Sequence, residues 1–301
     1  MNVLSLFDGI SCGRVALERL GINVERYVAY EIEDKAIKIS QKNYPDIEQK
    51  GDVFKGNFTD YQGFDLLIGG SPCTYWSVAQ KPGKRETTNS GFGWELFQQY
   101  IRALNEAKPK YYLYENNFSM DRKIYEEISK AFGHEPILIN SADYSAQNRK
   151  RYYWTNIPNI VLDKIKAPTL QDIVEYGYAD REKSLCLTRR YAGFNGREGM
   201  LCRRYFGKSF GSPIFKDKET RDLLYLKWKN NPYFDKDEVV EHDNKKRGIR
   251  QMTVKECERL QTLPDDYTKC EGVNDIARIE AIGNGWTVNV ICQLLKPLTT
   301  I

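Results

Sequence analysis

A cysteine that directly follows a proline is the first residue of this chain that could carry chemistry. Pro72 and Cys73 come after an apolar run over 64–68, from which a Gly-Gly-Ser segment separates them. The length and composition of the run predict a buried strand, so Cys73 is expected where that strand gives way to a loop. Reactive groups of α/β proteins are concentrated at such junctions, because the loop is exposed while the sheet holds it in place. The placement therefore favours a reactive thiol over a packing residue.

Acidic and basic residues stand at the ends of two further predicted strands. Glu115 follows a strand predicted over 110–114, and a basic cluster over 147–151 contains Arg149 and Arg151. Strand ends of a doubly wound sheet converge on one crevice, which predicts that these groups face the thiol. A thiolate can add to an electron-poor ring carbon, and a carboxylic acid can protonate a ring nitrogen to make that carbon more electrophilic. Nearby arginine charge would favour the thiolate.

A glycine-bearing turn near the N-terminus favours a nucleoside site in the same crevice. The segment 7–13 joins the first predicted strand to a helix, and such a turn lets a ligand approach the backbone at the helix start. Glu31 ends the next strand, where related folds bind ribose hydroxyls, and Asp52 with Val53 could hold an adenine ring. Taken singly, Glu31 and Asp52 could equally be solvated strand ends. Together with the turn they favour a nucleoside site.

Short apolar runs alternate with amphipathic stretches through the first 155 residues. This alternation predicts right-handed β-α-β units and a doubly wound, mostly parallel sheet of the α/β class, which would place the strand ends described above on one edge. The predicted strands lie at 2–7, 25–30, 64–68, 110–114, 136–139 and 151–154, and the predicted helices at 13–20, 34–43, 93–107 and 121–131.

The chain changes character over residues 156–249, which are polar, aromatic and irregular. Between Arg181 and Lys229 there are thirteen lysines and arginines but only five acidic residues. An excess of one sign over one region favours a nucleic-acid surface over an ordinary solvated face. The pattern predicts a large α/β domain, an inserted basic region and a C-terminal return to the large domain. Helical patterns in this half of the chain lie at 170–177, 220–229, 253–262 and 288–295.

Composition limits the classes of protein open to this chain. With 301 residues, 41% of them hydrophobic and 29% charged, it can bury a substantial core and is too apolar for a disordered protein. No segment approaches the roughly 18 apolar residues of a membrane span, and the N-terminus lacks the basic region of a signal peptide, so we expect neither. Seven cysteines at irregular spacing form neither a disulfide framework nor a CxxC metal pattern, which indicates a reducing, intracellular setting without a metal.

Taken together, the motifs resemble those of one family, the DNA (cytosine-5) methyltransferases. The resemblance covers most of the chain with the motifs in that family's order. The opening Leu-Ser-Leu-Phe-Asp-Gly-Ile and the compact variable region are similar to its animal de novo branch. The matching segments are 7–9 with Gly13, Glu31, Asp52, Pro72 with Cys73, Glu115 with Asn116, 147–151, 253–261 with 264–267, and 283–286.

This resemblance implies a fold, a reaction and a cofactor. The fold would be a doubly wound, mostly parallel SAM-dependent methyltransferase sheet with a small irregular DNA-recognition domain. Residues 1–155 would form the catalytic SAM-binding domain, 156–249 the target-recognition region and 250–301 the return to the catalytic domain. A methyl group would pass from S-adenosyl-L-methionine (SAM) to carbon 5 of a cytosine flipped out of double-stranded DNA, through a covalent Cys73 adduct. S-adenosyl-L-homocysteine would be the product, and no metal would take part.

The resemblance also assigns roles to single residues. Cys73 would add to carbon 6 of the cytosine, and Glu115 would hold the ring by its nitrogen 3 and amino edge. Arg149 with Arg151 would position the base. The residues expected to bind the cofactor are Phe7, Asp8, Gly9, Gly13, Glu31, Ile32, Asp52, Val53, Pro72, Leu96, Asn284 and Trp286. The residues expected to contact DNA are Thr74, Ser77, Lys81, Lys84, Arg85, Arg189, Arg190, Arg203 and Arg204.

Two positions depart from the family pattern. Asn117 stands where a valine usually follows the Glu-Asn pair, so a polar residue occupies a place where the strand is usually sealed. Thr74 follows the cysteine where many bacterial members carry glutamine. Neither change touches a reacting atom, so the expectation of activity stands.

Three other functions stay open from the sequence alone. An RNA (tRNA) cytosine methyltransferase shares this fold, although the Cys-Phe-Thr segment typical of that branch does not occur here. A catalytically silent nucleic-acid-binding relative would not need Cys73, Glu115 and Arg149, and transfer of a group other than methyl would depend on the cofactor pocket. For partners, the resemblance implies double-stranded DNA, no membrane, and a monomer in the bacterial cytoplasm, of bacterial or phage origin. It leaves open a cognate restriction endonuclease.

Overall fold

The chain folds into two compact units, each assembled from non-contiguous segments. The first unit comprises Met1–Asn140, Lys150–Asp163 and the residues from Val288 onward, and the second comprises Ser141–Arg149 and Lys164–Thr287. These boundaries follow compactness and differ from those predicted from composition. The functional roles assigned to the predicted segments stay predictions. The computed structural model describes residues 1–78, 83–189, 191, 198–207, 211–233 and 248–300.

The first unit is built on a mixed sheet of seven strands. Its central strands are short apolar runs with buried side chains on both faces, as expected for parallel strands that are covered by helices on both sides. In chain order the strands are β1 (Asn2–Leu6), β2 (Arg26–Tyr30), β3 (Glu48–Gln49), β4 (Leu66–Gly69), β5 (Tyr111–Asn117), β6 (Ile137–Asn140) and β7 (Lys150–Thr155).

The strand order across the sheet is β3-β2-β1-β4-β5-β7-β6. The five strands from β3 to β5 run parallel, with Gly69 of β4 opposite Leu6 of β1 on one side and Tyr114 of β5 on the other. β7 runs antiparallel to β5 and to β6. The carboxyl ends of β1, β2, β4 and β5 therefore share one edge, and β7 begins at that edge. The predicted doubly wound, mostly parallel α/β sheet is confirmed.

Helices flank the sheet and fill much of the second unit. α1 to α4 and α10 belong to the first unit and α5 to α9 to the second. Their apolar residues recur at helical spacing, as on α3, where Leu96, Phe97, Tyr100 and Ala103 are buried. In chain order the helices are α1 (Cys12–Arg19), α2 (Asp34–Asn43), α3 (Phe92–Ala107), α4 (Arg122–Phe132), α5 (Leu170–Ile173), α6 (Glu198–Cys202), α7 (Lys218–Asn230), α8 (Val254–Leu260), α9 (Asp275–Asn284) and α10 (Val288–Leu295).

An aromatic core supports β5. The Tyr114 ring lies 5.3 Å from Phe97, 4.8 Å from Tyr100 and 5.8 Å from Trp154, measured between ring centroids, and all four side chains are fully buried. Truncating a buried ring of this size typically costs about 3–5 kcal/mol, because a cavity remains where the ring was. The strand that carries Glu115 is therefore firmly packed against its own unit.

The second unit has a smaller core and two buried ion pairs. Two short antiparallel strands, β8 (Ile214–Phe215) and β9 (Ile249–Arg250), pack with α6 and α7 around a small apolar cluster. Glu256 of α8 lies 2.7 Å from Arg250, and Glu258 lies 3.3 Å from Arg278, with both carboxylates fully buried. Breaking such a pair leaves a charge uncompensated away from water, so these contacts define a specific arrangement for an otherwise irregular region.

The predicted elements of the first 155 residues are present, with ends that differ by at most three residues. β5 ends at Asn117, three residues beyond the predicted 110–114, because antiparallel pairing with β7 extends it, and Glu115 lies at the carboxyl edge of this strand as predicted. β3 was not predicted, because a strand of only two residues shows no alternation of apolar and polar side chains. α9 was not predicted because glycines interrupt the sequence at both of its ends.

In the part of the chain that the structure describes, no helix is both long and apolar enough to cross a membrane. Within the same residues, no group of three or more His, Cys, Asp or Glu side chains is arranged to hold a metal ion.

Candidate active site

Cys73 opens a single turn of 3₁₀ helix, Cys73–Tyr75, just beyond the end of β4. Its carbonyl oxygen accepts hydrogen bonds from the backbone N–H groups of Trp76 at 3.1 Å and Ser77 at 3.0 Å. Pro72 enters the turn with φ −50°, and its ring restricts the backbone there. The Cys73 side chain is half-buried. The thiol therefore combines a well-defined backbone with partial access from solvent.

Two side chains of β5 hold the segment that leads into this turn. The Tyr114 hydroxyl lies 2.6 Å from Ser71 Oγ, and Asn116 Nδ2 donates to the Ser71 carbonyl oxygen at 3.1 Å. Asn116 Nδ2 also lies 3.1 Å from the Tyr114 hydroxyl, so three buried polar groups satisfy one another. Burial raises the pKa of Tyr114, which keeps its hydroxyl neutral. Because residues 114 and 116 alternate onto one face of β5, the strand holds Ser71 at two points.

Glu115 and Arg151 form an ion pair at the same edge of the sheet. Arg151 Nε lies 2.8 Å from Glu115 Oε1, and only 13% and 11% of the two side chains are exposed. The pair joins neighbouring strands, since Asn117 of β5 lies opposite Arg151 of β7. The structure thus brings together two of the predicted catalytic residues. Glu115 lies on β5, the strand next to β4, whose carboxyl end leads to Cys73, and Arg151 lies on β7, one strand further along the sheet.

Arg149 belongs to the second unit and is held there by main-chain carbonyl groups. Its guanidinium donates to the carbonyl oxygens of Leu187 (3.0 Å), Gly285 (2.9 Å) and Gly283 (3.4 Å), and to Cys186 Sγ (3.4 Å). Only 5% of the residue is exposed. These contacts show that Arg149 supports the Gly-Asn-Gly-Trp segment at the end of α9. The sequence assigned both arginines of the basic cluster to the site, Arg149 first, whereas in the structure it is Arg151 that pairs with Glu115.

Two buried glutamines, missed in the sequence analysis, support the same segment. Gln261 Nε2 donates to two main-chain carbonyl oxygens beyond the middle of α9, both at 3.0 Å. Gln147 Nε2 donates to Gln261 Oε1 at 2.8 Å. Asn284 is exposed and Trp286 half-buried, and their role in cofactor binding stays a prediction. Both glutamines lie inside segments that carried the family resemblance, which was the signal available.

The turn after β1 has an unusual backbone that a buried carboxylate supports. Phe7 (φ 57°) and Ser11 (φ 58°) adopt the left-handed conformation, which costs energy for residues other than glycine. The Asp8 carboxylate accepts hydrogen bonds from Ser5 Oγ at 2.6 Å, Ser11 Oγ at 2.5 Å and the Tyr27 hydroxyl at 2.7 Å. Burial raises the pKa of Asp8, while these three hydrogen bonds act in the opposite direction. The side chain of Asp8 is therefore engaged inside the turn.

Glu31, just beyond β2, ties this turn to the start of α2. Its Oε2 accepts from the N–H of Gly9 at 2.8 Å, and its Oε1 accepts from the N–H groups of Ile32 at 2.7 Å and Glu33 at 2.9 Å. Burial raises the pKa of Glu31, and its three hydrogen bonds oppose that shift. The Ile32 side chain beside it is 68% exposed. An ordered carboxylate next to an exposed apolar side chain is what the predicted nucleoside site requires.

The third predicted cofactor segment forms a short 3₁₀ turn capped by Asp52, whose carboxylate accepts from the Phe54 N–H at 3.0 Å. Val53 is buried in the hydrophobic core, with 5% exposed. Phe54 instead is 41% exposed and stacks on Phe92, with ring centroids 6.0 Å apart. Phe54 is thus a candidate that the sequence analysis missed, and its signal was an aromatic residue directly after the Asp-Val pair.

Four other residues predicted to bind cofactor differ in their accessibility. Pro72 is exposed, and Phe7 is half-buried against the core. Gly13 is buried in α1, and Leu96 of α3 is 7% exposed. Their roles stay predictions.

The residues of the first unit that were predicted to contact DNA fall into two kinds. Thr74 and Lys84 are exposed and Ser77 is half-buried. Arg85 is engaged by its own unit, because its guanidinium donates to two main-chain carbonyl oxygens at 3.1 and 2.7 Å.

The arginines of the basic region also have partners within the second unit. Arg189 is exposed and lies 3.4 Å from Glu280. The Arg203 guanidinium stands 5.8 Å from the ring centroid of Tyr233, and Arg204 is half-buried. Two predicted DNA contacts lie outside the described residues, namely Lys81 and Arg190.

The strand order, with β7 antiparallel between β5 and β6, and the glycine turn after β1 define the SAM-dependent methyltransferase fold. The same fold is found in the crystal structure of a mutant DNMT2 of Spodoptera frugiperda, with a TM-score of 0.72, 18% identity and 99% of both chains covered. The chain belongs to the family of C-5 cytosine-specific DNA methylases, which it matches over residues 1–300.

Two curated relatives agree with this membership. The chain is 32% identical to the orphan methyltransferase M.SPRI of Bacillus phage SPR, over 96% of this chain and 61% of that protein. It is 26% identical to the type II methyltransferase M1.ScrFI of Lactococcus lactis subsp. cremoris, over 100% of this chain and 78% of that protein. The chain therefore spans about three fifths of the length of the phage relative. The resemblance noted from the motifs is confirmed at the level of the family.

Proposed function

We propose that this protein transfers a methyl group from SAM to carbon 5 of a cytosine in double-stranded DNA, with the base flipped into the site and bound covalently to Cys73. One observation carries the proposal. In a single unit, a thiol lies just beyond β4, and a buried ion pair of Glu115 and Arg151 lies on β5 and β7 at the same edge. A protein that only binds nucleic acid needs neither group.

Cys73 would act as the nucleophile. Its thiolate adds to carbon 6 of the cytosine, and the electron pair of the 5,6 double bond moves toward carbon 5, which becomes nucleophilic. When bound, SAM supplies the methyl group as an electrophile and is released as S-adenosyl-L-homocysteine. Loss of the carbon-5 proton to a base then expels the sulfur from carbon 6 and restores the double bond.

Glu115 and Arg151 would make this addition possible. The Glu115 carboxylate would hold the amino edge of the ring, and after taking up a proton from solvent it would donate that proton to nitrogen 3, because the ring gains negative charge as the thiolate adds. Arg151, at 2.8 Å, fixes the direction of that carboxyl group and offers positive charge beside the base. Because the contacts of Arg149 suit it to support the segment at the end of α9, we assign the base-positioning role to Arg151.

The first unit has the groups that a nucleoside cofactor needs. Gly9 and Glu31 join the turn after β1 to the end of β2, and we propose that this is where the ribose is bound. Ile32 and Phe54 present exposed apolar surface suited to the two faces of an adenine ring. Asp8 would support the turn from inside. The roles of Asn284 and Trp286 rest on the family resemblance.

Double-stranded DNA is proposed as the substrate on the basis of the family and the charge. The family is named for DNA, both quoted relatives are named methyltransferases, and the basic excess in the second half of the chain suits a phosphate backbone. We further propose a monomer that acts in the bacterial cytoplasm, of bacterial or phage origin. The type II relative favours a search for a cognate restriction endonuclease beside the gene.

The test is a transfer assay with labelled SAM. Wild-type protein should label mixed-sequence duplex DNA at carbon 5 of cytosine, and Cys73→Ser should abolish labelling while still binding SAM. Duplex DNA that contains 5-fluorocytosine should trap a covalent complex with the wild type and none with the variant. Label in tRNA but not in DNA would favour the RNA methyltransferase, and no transfer to either would favour the silent binding protein.

A further inference from the structure

Asn117, the residue that departs from the family pattern, is a buried polar group whose side-chain nitrogen and oxygen both have hydrogen-bond partners. It is the last residue of β5 and is only 3% exposed. Its backbone N–H and its Nδ2 both donate to Asn116 Oδ1, at 2.8 and 3.1 Å, and its Oδ1 accepts from Ser119 Oγ at 2.8 Å. A buried amide needs such partners, because leaving it unsatisfied would cost several times the net value of a hydrogen bond.

The Ser119 side of this contact leads to the residues that follow the Cys73 turn. Ser119 Oγ accepts from the Val78 N–H at 3.5 Å, and the Ser119 carbonyl oxygen accepts from Arg85 Nη2 at 2.7 Å. Arg85 Nε in turn donates to the Trp76 carbonyl oxygen at 3.1 Å. Trp76 donates its own N–H to the Cys73 carbonyl oxygen. A chain of hydrogen bonds thus connects the end of β5 to the downstream end of the turn.

The Asn116 side leads to the residues that precede the turn. Asn116 Nδ2 donates to the Ser71 carbonyl oxygen, and Asn116 Oδ1 accepts both donors of Asn117. The two donors therefore determine which end of the Asn116 amide faces Ser71. A valine at position 117 would keep only the backbone donor and would remove the acceptor for Ser119.

We propose that Asn117 is a positioning residue for the nucleophile, because it couples both anchors of the Cys73 turn to the end of β5. Upstream the coupling runs through Asn116 to Ser71, and downstream it runs through Ser119 and Arg85 to Trp76. Arg85 accordingly acts inside the protein rather than on a DNA phosphate. This inference rests on the proposed function, in which Cys73 attacks the base.

Asn117→Val and Ser119→Ala test this coupling with two readouts. The first is the rate of Cys73 alkylation by iodoacetamide in the protein without DNA, followed by peptide mass spectrometry. We expect a rate about fivefold above wild type in both variants, because a released turn exposes the thiol more often. The second is the single-turnover rate of adduct formation on 5-fluorocytosine DNA, which should fall about tenfold or more at an unchanged Kd for SAM, because the thiol is misplaced.

Asn156→Ala is the matched control at the other end of β5. Asn156 also bridges two segments, accepting from the Tyr112 N–H at 2.8 Å and donating to the Lys110 carbonyl oxygen at 3.0 Å. Wild-type alkylation and adduct rates are expected for this variant.

Two results would overturn the proposal: wild-type alkylation rates in both Asn117→Val and Ser119→Ala, or an equal rise in Asn156→Ala. The alkylation readout needs no methyl transfer. If wild-type protein fails to methylate DNA, the proposed function fails while the alkylation rates still decide the role of Asn117.

Discussion

Glu115 and Arg151 depend on each other, since both side chains are largely removed from water. Arg151→Gln should therefore lower the free energy of unfolding by about 3 kcal/mol, because it leaves the Glu115 carboxylate buried beside a neutral group. Methyl transfer should fall about 100-fold, because the positive charge near the base is lost. Urea unfolding and the transfer assay measure the two effects.

Arg122→Gln is the control for that experiment. Arg122 faces Glu126 at 2.7 Å on the exposed side of α4, with 74% and 56% of the side chains exposed. A pair so open to solvent contributes little, so the urea midpoint should not move. If the two variants lost the same free energy of unfolding, burial would not be what makes the Glu115–Arg151 pair strong.

Glu31 should make cofactor binding depend on pH. Burial raises its pKa above the ordinary value of 4.5, with the nearby Asp8 charge acting in the same direction, so the carboxyl takes up its proton at a higher pH than a solvated glutamate. The ionised carboxylate accepts hydrogen bonds that the protonated form loses. The Kd for SAM should therefore rise as the pH falls through the raised pKa.

Isothermal titration calorimetry between about pH 8 and pH 5 tests this dependence. Glu31→Gln cannot titrate, so it should bind SAM more weakly than wild type at high pH and with a flat profile. A wild-type profile as flat as that of the variant would contradict the role. For stability the sign is opposite: a raised folded pKa favours the fold at low pH, and this contribution is lost as the pH rises through that pKa.

Among the larger elements, α3 holds the turn that presents Phe54. Arg102 of α3 donates to the carbonyl oxygens of Val53 and Gly56, both at 2.9 Å, and its guanidinium lies 4.4 Å from the ring centroid of Phe58. A helix packed on the sheet thus positions a loop residue that has little burial of its own. The proposed adenine surface is therefore a property of two elements together.

Phe54→Ala should raise the Kd for SAM about tenfold, which corresponds to the loss of roughly 1.4 kcal/mol of apolar contact. Stability should change little, because the ring is 41% exposed. Leu138→Ala on β6 is the control, since Leu138 is 47% exposed on an edge strand away from the proposed cofactor turns. Fluorescence or calorimetric titration with SAM gives the comparison. Equal affinity in both variants would exclude Phe54 from the cofactor surface.

At the scale of the whole molecule, charge should govern DNA affinity. The net charge is only +4, yet thirteen basic residues lie between Arg181 and Lys229. The logarithm of the DNA association constant should fall linearly with the logarithm of salt concentration, with a slope of about 0.9 for each phosphate neutralised. Arg203→Gln combined with Arg204→Gln should reduce that slope by about 1 to 2 at unchanged SAM affinity. Fluorescence anisotropy measures it, with Arg122→Gln as the control, and an unchanged slope would count against these two arginines.

β1, β2 and β4 could be predicted because each is a short, mostly apolar run that is buried on both faces. The exact end of β5 could not be predicted, because its last three residues are polar and belong to the strand only through their pairing with β7. β8 and β9 could not be predicted for a related reason. Each strand has only two residues, which show no periodicity, and it is extended because it pairs with a segment distant in the sequence.

The sequence by itself determined which kinds of residue form the site and in what order they occur: a thiol after a strand, an acid, two arginines and a glycine turn. Only the tertiary structure decided which of these residues contact one another. Arg151 faces Glu115, whereas Arg149, two residues earlier, donates to main-chain carbonyl groups at the end of α9 and at Leu187. In the sequence Asn117 is only a departure from the family pattern. In the structure its buried side chain forms hydrogen bonds with both Asn116 and Ser119. The physical reason is that hydrogen bonds and ion pairs depend on direction and on neighbours far away in the chain, whereas strand and helix patterns depend on burial that recurs locally.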